Sequence, residues 1–154
     1  MMRYLTCKEA DGWNVRMAET EADDLQSTAK AICEDIGGMA SFPFTCQGVD
    51  YTVFYDDEIF TKDKKEIVVS LYVQGDTERS YLDPEGPDLV FGNFALVKGH
   101  THEGMLATLD DEDIKKLSNF IIESDAKLKA MKKNKLFQKN EVIRSRVIKQ
   151  ERNA

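Results

Sequence analysis

The chain has 154 residues, 42% of them hydrophobic, and a formal net charge of −7. That suits one domain with a core of its own, and it excludes a membrane-spanning helix, because no apolar run approaches the ~20 residues a bilayer requires. The charge is divided: residues 1–122 carry 11 basic and 24 acidic side chains and residues 123–154 carry 10 and 4, so an acidic body of −13 precedes a basic tail of +6. The body's field repels nucleic acid and the tail's attracts it. The opening residues, MMRYLTCKEADGW, lack the apolar core of a signal peptide, and Cys7, Cys33 and Cys46 are odd in number and far apart. Reduced thiols and a cytoplasmic location are therefore expected. No internal repeat or low-complexity run is present.

Arg3–Cys7 and Trp13–Met17 read as two short strands around a turn at Lys8–Gly12. Thr20 is placed as the N-cap of a helix that carries Leu25, Ala29, Ile32 and Ile36 on one stripe and stops at Gly37–Gly38. Ser41–Phe44 and Val49–Tyr55 are the next strands, and Pro43 puts the first of them at a sheet edge. Asp56–Lys65 is a charged loop, and Glu66–Val73 is β-branched enough for a central strand. Gly75–Pro87 reads as an exposed loop, Leu89–Val97 as one strand bent at Gly92, and Met105–Thr108 as a short strand. Thr108 or Asp110 then caps a helix with Ile114, Leu117, Ile121, Leu128 and Met131 on one face. The stripe weakens at Lys132–Lys135 and a second follows at Leu136, Phe137, Ile143 and Val147. One long helix or two helices meeting near Asn134 both fit.

Three segments carry a likeness. The strand end Tyr55–Asp56–Asp57–Glu58 is one. The strand with Asp88, Val90, Gly92, Phe94 and Leu96–Gly99 is the second, and the helix entry with Gly104, Leu106, Thr108, Leu109, Asp110 and Asp111 is the third. Over residues 1 to about 122 this layout resembles a family of small uncharacterised proteins encoded by bacteriophages and other mobile elements of bacteria. The resemblance implies a compact α+β fold and a mobile-element origin, and it brings no activity with it. The Gly75–Pro87 loop, the His100–Thr101–His102 turn and the basic tail depart from the family's pattern.

Few residues offer chemistry. His100 and His102 are two apart, which in extended backbone sets both imidazoles on one face. They are candidate zinc ligands, with Glu103 or a distant carboxylate completing the site of a metal-dependent hydrolase. Thr108-x-x-Asp111 would stand in for the downstream Ser-x-x-Asp of the deubiquitinase-like metalloproteases. The gap is short, and helix entry alone accounts for both residues. The plainer reading of the histidines is a solvated turn between Gly99 and Gly104. Asp56, Asp57, Glu58 and Asp63 offer carboxylates for a hard cation or acid–base work, or simply form a charged loop. Asp110–Asp113 suit the positive end of a helix. Cys33, beside the first helix's stripe, is expected to be buried and inert, and no thiol has an evident nucleophile partner. No phosphate-binding glycine loop is present.

The tail is the best interaction element. Lys132, Lys133, Arg144 and Arg146 can meet phosphates or carboxylates, and Leu136, Phe137, Ile143 and Val147 can bury against a partner. The alternative is a solvated helix or a frayed end.

The expected fold is α+β, with a mixed or mainly antiparallel sheet of four to six strands packed against helices and a long C-terminal helix. Residues 1–122 form the domain and 123–154 a basic helical extension. The expected function is a non-enzymatic protein-interaction module without a cofactor. Its partner is an unidentified protein, or a second copy met through the C-terminal helix. The two alternatives are the zinc hydrolase and nucleic-acid binding by that helix.

Overall fold

The structure, a computed structural model, describes residues 1–59, 67–73, 88–101, 104–133 and 141–142. Its main sheet is built from β1 (Met2–Cys7), β2 (Val15–Thr20), β3 (Ala40–Cys46), β4 (Val49–Tyr55), β7 (Phe94–His100) and β8 (Met105–Ala107). The order is β2-β1-β7-β4-β3, and every neighbouring pair is antiparallel. β8 pairs with β7 beyond the point where β1 leaves it, so it prolongs the row that β1 begins. β3 lies at an edge, where Pro43 withholds no ladder donor from an inner neighbour.

A second, three-stranded sheet is ordered β6-β5-β9, from β5 (Ile67–Val73), β6 (Asp88–Phe91) and β9 (Glu141–Val142). The β5–β9 pair is parallel. The EIVVSLYV run is thus central, but to this small sheet rather than to the main one. The expected bent strand over Leu89–Val97 is two strands, one in each sheet. The chain turns between them at Gly92, whose φ of 80° lies where L side chains are disfavoured, and Gly92 N–H donates to Val68 O at 2.8 Å.

Alternation along the strands sorts side chains onto two faces. Tyr51, Val53, Phe94 and Leu96 share one core with Leu5, Phe44, Leu71, Val90, Leu117 and Ile121. Tyr4, Phe54, Ala95 and Val97 share the other with Ile32 and Ile36. α1 (Leu25–Ile36) therefore covers one face, while α2 (Asp111–Lys133) and the small sheet cover the other. On α2, Ile114, Leu117, Ile121 and Leu128 of the predicted stripe are buried, the side chain of its last member, Met131, lies outside those described, and Phe120 stacks on Phe44 with centroids 5.0 Å apart. The helix crosses residue 122 unbroken. Ser124 Oγ accepts from Tyr72 N–H at 2.7 Å and Lys127 Nζ lies 5.1 Å from the Tyr72 ring centroid, which fastens its later turns to β5.

Local readings shift at several ends. The first turn is a 3-10 turn over Glu9–Asp11 closed at Gly12, so Trp13 belongs to the turn and β2 begins at Val15. Thr20 ends β2, with its hydroxyl accepting from Ala22 N–H at 3.2 Å. The α1 N-cap is Asp24, whose carboxylate accepts from Ser27 N–H at 2.7 Å. Cys33 is half-buried rather than buried, and that burial pushes its thiol up from the ordinary value. Among the described residues no helix is long and apolar enough to cross a membrane.

Candidate functional site

β4, β7 and the first turn of α2 bring together a polar cluster that the apolar pattern conceals. Tyr51 Oη donates to Asp113 Oδ1 at 2.7 Å, and Lys98 Nζ lies 3.0 Å from Asp113 Oδ2 and 3.8 Å from Asp110 Oδ2. Tyr51 and Asp113 are 0% and 2% exposed, so the pair is sealed from solvent. Asp113 also completes a reciprocal cap: its Oδ2 accepts from Asp110 N–H at 2.9 Å, while Asp110 Oδ1 accepts from Asp113 N–H at 2.8 Å. Asp110, not Thr108, is the cap of α2. Thr108 Oγ1 instead accepts from Arg3 N–H at 2.9 Å and ties the helix entry to β1.

Burial pushes the Asp113 carboxyl up. The bonds it accepts from the Asp110 backbone, Tyr51 and Lys98 outweigh that and bring it down to about 2. Tyr51 is pushed up, first by burial and then by its bond to Asp113, and Lys98 is raised chiefly by its bond to Asp113. A carboxyl held below its unfolded value contributes stability above about pH 4 and loses it as the pH falls towards 2. That contribution is about 2–3 kcal/mol. Tyr51 and Lys98 are raised, so their contributions are complete below about pH 10 and fade as the pH climbs above it. Acid titration followed by circular dichroism is expected to show the stability gap between wild type and Asp113→Asn narrowing between pH 4 and pH 2. A gap that stays constant across that window would refute the assignment.

On the opposite face the sheet outruns its helix. α1 has 12 residues and β4 and β7 have seven each, which makes the helix about 18 Å long and the strands about 24 Å. Ile32 and Ile36 cover Phe54 and Ala95, and the end of the sheet near α1's first turn is left open. The opening is a groove of about 660 Å³. Met2, Leu25, Val49, Met105, Leu106 and Ala107 give it an apolar lining, with Gly99 and Gly104 beside them. Met105 is 63% exposed. Asp23 and Asp24 stand on the α1 side of the groove and Asp50 on the β4 side. Lys98 also lines it, but its ammonium lies on the α2 face of the sheet with Asp113 and Asp110. Asp24 is occupied as the N-cap and Asp50 accepts from Thr45 Oγ1 at 3.0 Å. No described lysine or arginine forms an ion pair with any of the three carboxylates. The groove combines an apolar lining with carboxylates from both sides.

His100 ends β7 opposite Met105 in the β8 ladder. His102 and Glu103 lie outside the described residues, as do Asp63 and the Gly75–Pro87 loop. The described residues gather no group of three or more His, Cys, Asp or Glu side chains around one point. Asp56 Oδ1 accepts from Glu58 N–H at 2.9 Å, so part of that acidic run shapes its own turn. Leu136, Phe137, Ile143, Val147, Arg144 and Arg146 are outside the described residues too, and Lys132 and Lys133 are placed only as the last residues of α2.

Tyr51, Lys98 and the groove have no reading in the sequence, and Asp113 reads there only as one of the acids suited to the positive end of a helix. A signal for the cluster existed: Asp113 stands four residues before Leu117 on the buried stripe of α2, and Lys98 closes the apolar run FALVK. The groove left no such mark, because it depends on where α1 stops relative to β4 and β7. No family model, curated protein or solved structure matches the chain.

Proposed function

We propose that this chain is a non-enzymatic protein-interaction module, encoded by a mobile element, whose acidic groove docks a partner presenting cationic and apolar side chains together. The observation that carries this reading is the groove itself: an apolar lining with carboxylates on both sides. Apolar area supplies affinity, and carboxylates that no described lysine or arginine pairs select the partner and speed its arrival. The Tyr51–Asp113 pair is closed off and serves the fold. The mobile-element origin rests on the motif likeness over residues 1–122.

The test compares capture from nuclease-treated bacterial lysate by wild type and by Asp23→Lys/Asp50→Lys. Both positions are exposed, so the double variant is expected to keep the wild-type circular dichroism spectrum. A protein held by wild type and bound about tenfold more weakly by the variant, with further weakening at high salt, is the expected result. Equal capture by both would sink the groove as the docking surface. Loss of all captured material on nuclease treatment would replace the reading with nucleic-acid binding through the tail.

A further inference from the structure

We propose that the groove takes the basic C-terminal segment of a second copy of this chain. The inference rests on the groove being a docking surface and names its occupant. Residues 143–154, IRSRVIKQERNA, hold Arg144, Arg146, Lys149 and Arg152 against one acid, Glu151. Within them the apolar pair Val147–Ile148 is bracketed by Arg146 and Lys149. The groove has the complementary order: an apolar lining bracketed by Asp23 and Asp24 on one side and Asp50 on the other. The chain therefore carries both halves of one recognition, in a body of −13 and a tail of +6.

Topology favours a second copy over the same one. β9, at Glu141–Val142, is fixed to β5 at Ile67–Val68, and Val68 O accepts from Gly92 N–H. That is the end of the fold where β7 begins, on the α2 side of the main sheet. The groove is at the other end of β7, beside Lys98 and Gly99, and on the α1 side. Val142 and the groove thus lie at opposite ends and on opposite faces of the main sheet, which sets the groove of a neighbouring copy ahead of the chain's own as the place for this segment. Two chains that exchange tails form a closed pair with the same contact made twice. Docking of this kind also masks the groove from other partners until they compete it away.

Sedimentation velocity of the full chain over a range of concentrations tests this. Wild type is expected to self-associate, more weakly as salt is raised. Asp23→Lys/Asp50→Lys and Arg144→Glu/Arg146→Glu are each expected to raise the dissociation constant at least about tenfold. An equimolar mixture of the two variants is expected to regain association, because the intact groove of one meets the intact tail of the other. A chain that is monomeric throughout overturns the proposal, as does association indifferent to the tail variant or a mixture that fails to recover. If the chain is monomeric yet the groove variant still loses its captured partner, the docking surface stands and only its self-occupancy falls. If the groove variant loses neither, both fall.

Discussion

Asp113→Ala is expected to lower the unfolding free energy by about 2–3 kcal/mol, the cost of leaving a buried hydroxyl and a part-exposed ammonium without the carboxylate they share. Three losses combine. Tyr51, fully buried, loses the acceptor 2.7 Å from its hydroxyl. Lys98 loses its near partner at 3.0 Å and keeps only Asp110 at 3.8 Å. The first turn of α2 loses the half of the reciprocal cap in which the Asp113 carboxylate accepts from Asp110 N–H, and keeps the bond from the backbone N–H of residue 113 to Asp110 Oδ1. Asp113→Asn keeps the shape and much of the hydrogen bonding and is expected to cost less. Urea unfolding of the two variants beside wild type is the measurement. A loss under about 1 kcal/mol for Asp113→Ala would mean that the cluster is solvated rather than sealed, contrary to its 2% exposure. A double-mutant cycle with Tyr51→Phe separates the hydroxyl bond from the rest.

Gly99→Ala is expected to cost about 3 kcal/mol or more, by strain joined to collision. Gly99 has φ of 107°, outside the range L side chains favour. A Cβ there would run into Met105 O and stand 3.0 Å from Leu106 Cα. Both are main-chain atoms of the facing strand, so nothing can swing aside, and the β7–β8 ladder at Gly99 and Leu106 must open. Gly48→Ala separates the two causes: its φ is 78°, but no atom lies within 4 Å of the added carbon, so strain alone is expected to cost about 1 kcal/mol. Thermal unfolding measures the loss. Amide exchange at Leu106 locates it, with protection falling in Gly99→Ala and unchanged in Gly48→Ala. Equal losses at the two glycines would remove the steric part of the argument. Gly99 and Leu106 both line the groove, so Gly99→Ala should also deform the proposed docking surface.

The polar cluster and the groove answer to different kinds of information. Strand and helix periods are local, and so Met2–Cys7, Val49–Tyr55, the α1 stripe through Ile32 and Ile36, and the α2 stripe through Leu128 follow from the order of residues. The same is true of the edge position of Pro43 and of the division of charge between body and tail. Where strands pair is not local. Leu89–Val97 looks like one bent strand, because both parts are apolar and a glycine interrupts them. Only the packing of β5 and β6 over the core beneath α2 shows that the chain changes sheets at Gly92.

Residue order by itself determined an α+β chain, its main helices, most of its strands and an acidic body with a basic tail, since backbone period and side-chain charge belong to each short stretch. Tertiary structure alone decided that there are two sheets and that Asp113 turns inward to Tyr51 and Lys98. It also decided that the sheet extends past α1 to leave a groove between Asp23 and Asp50. Those features depend on elements far apart in the chain meeting at particular lengths and registers, and one residue more or less in α1 would move the groove without altering any local pattern.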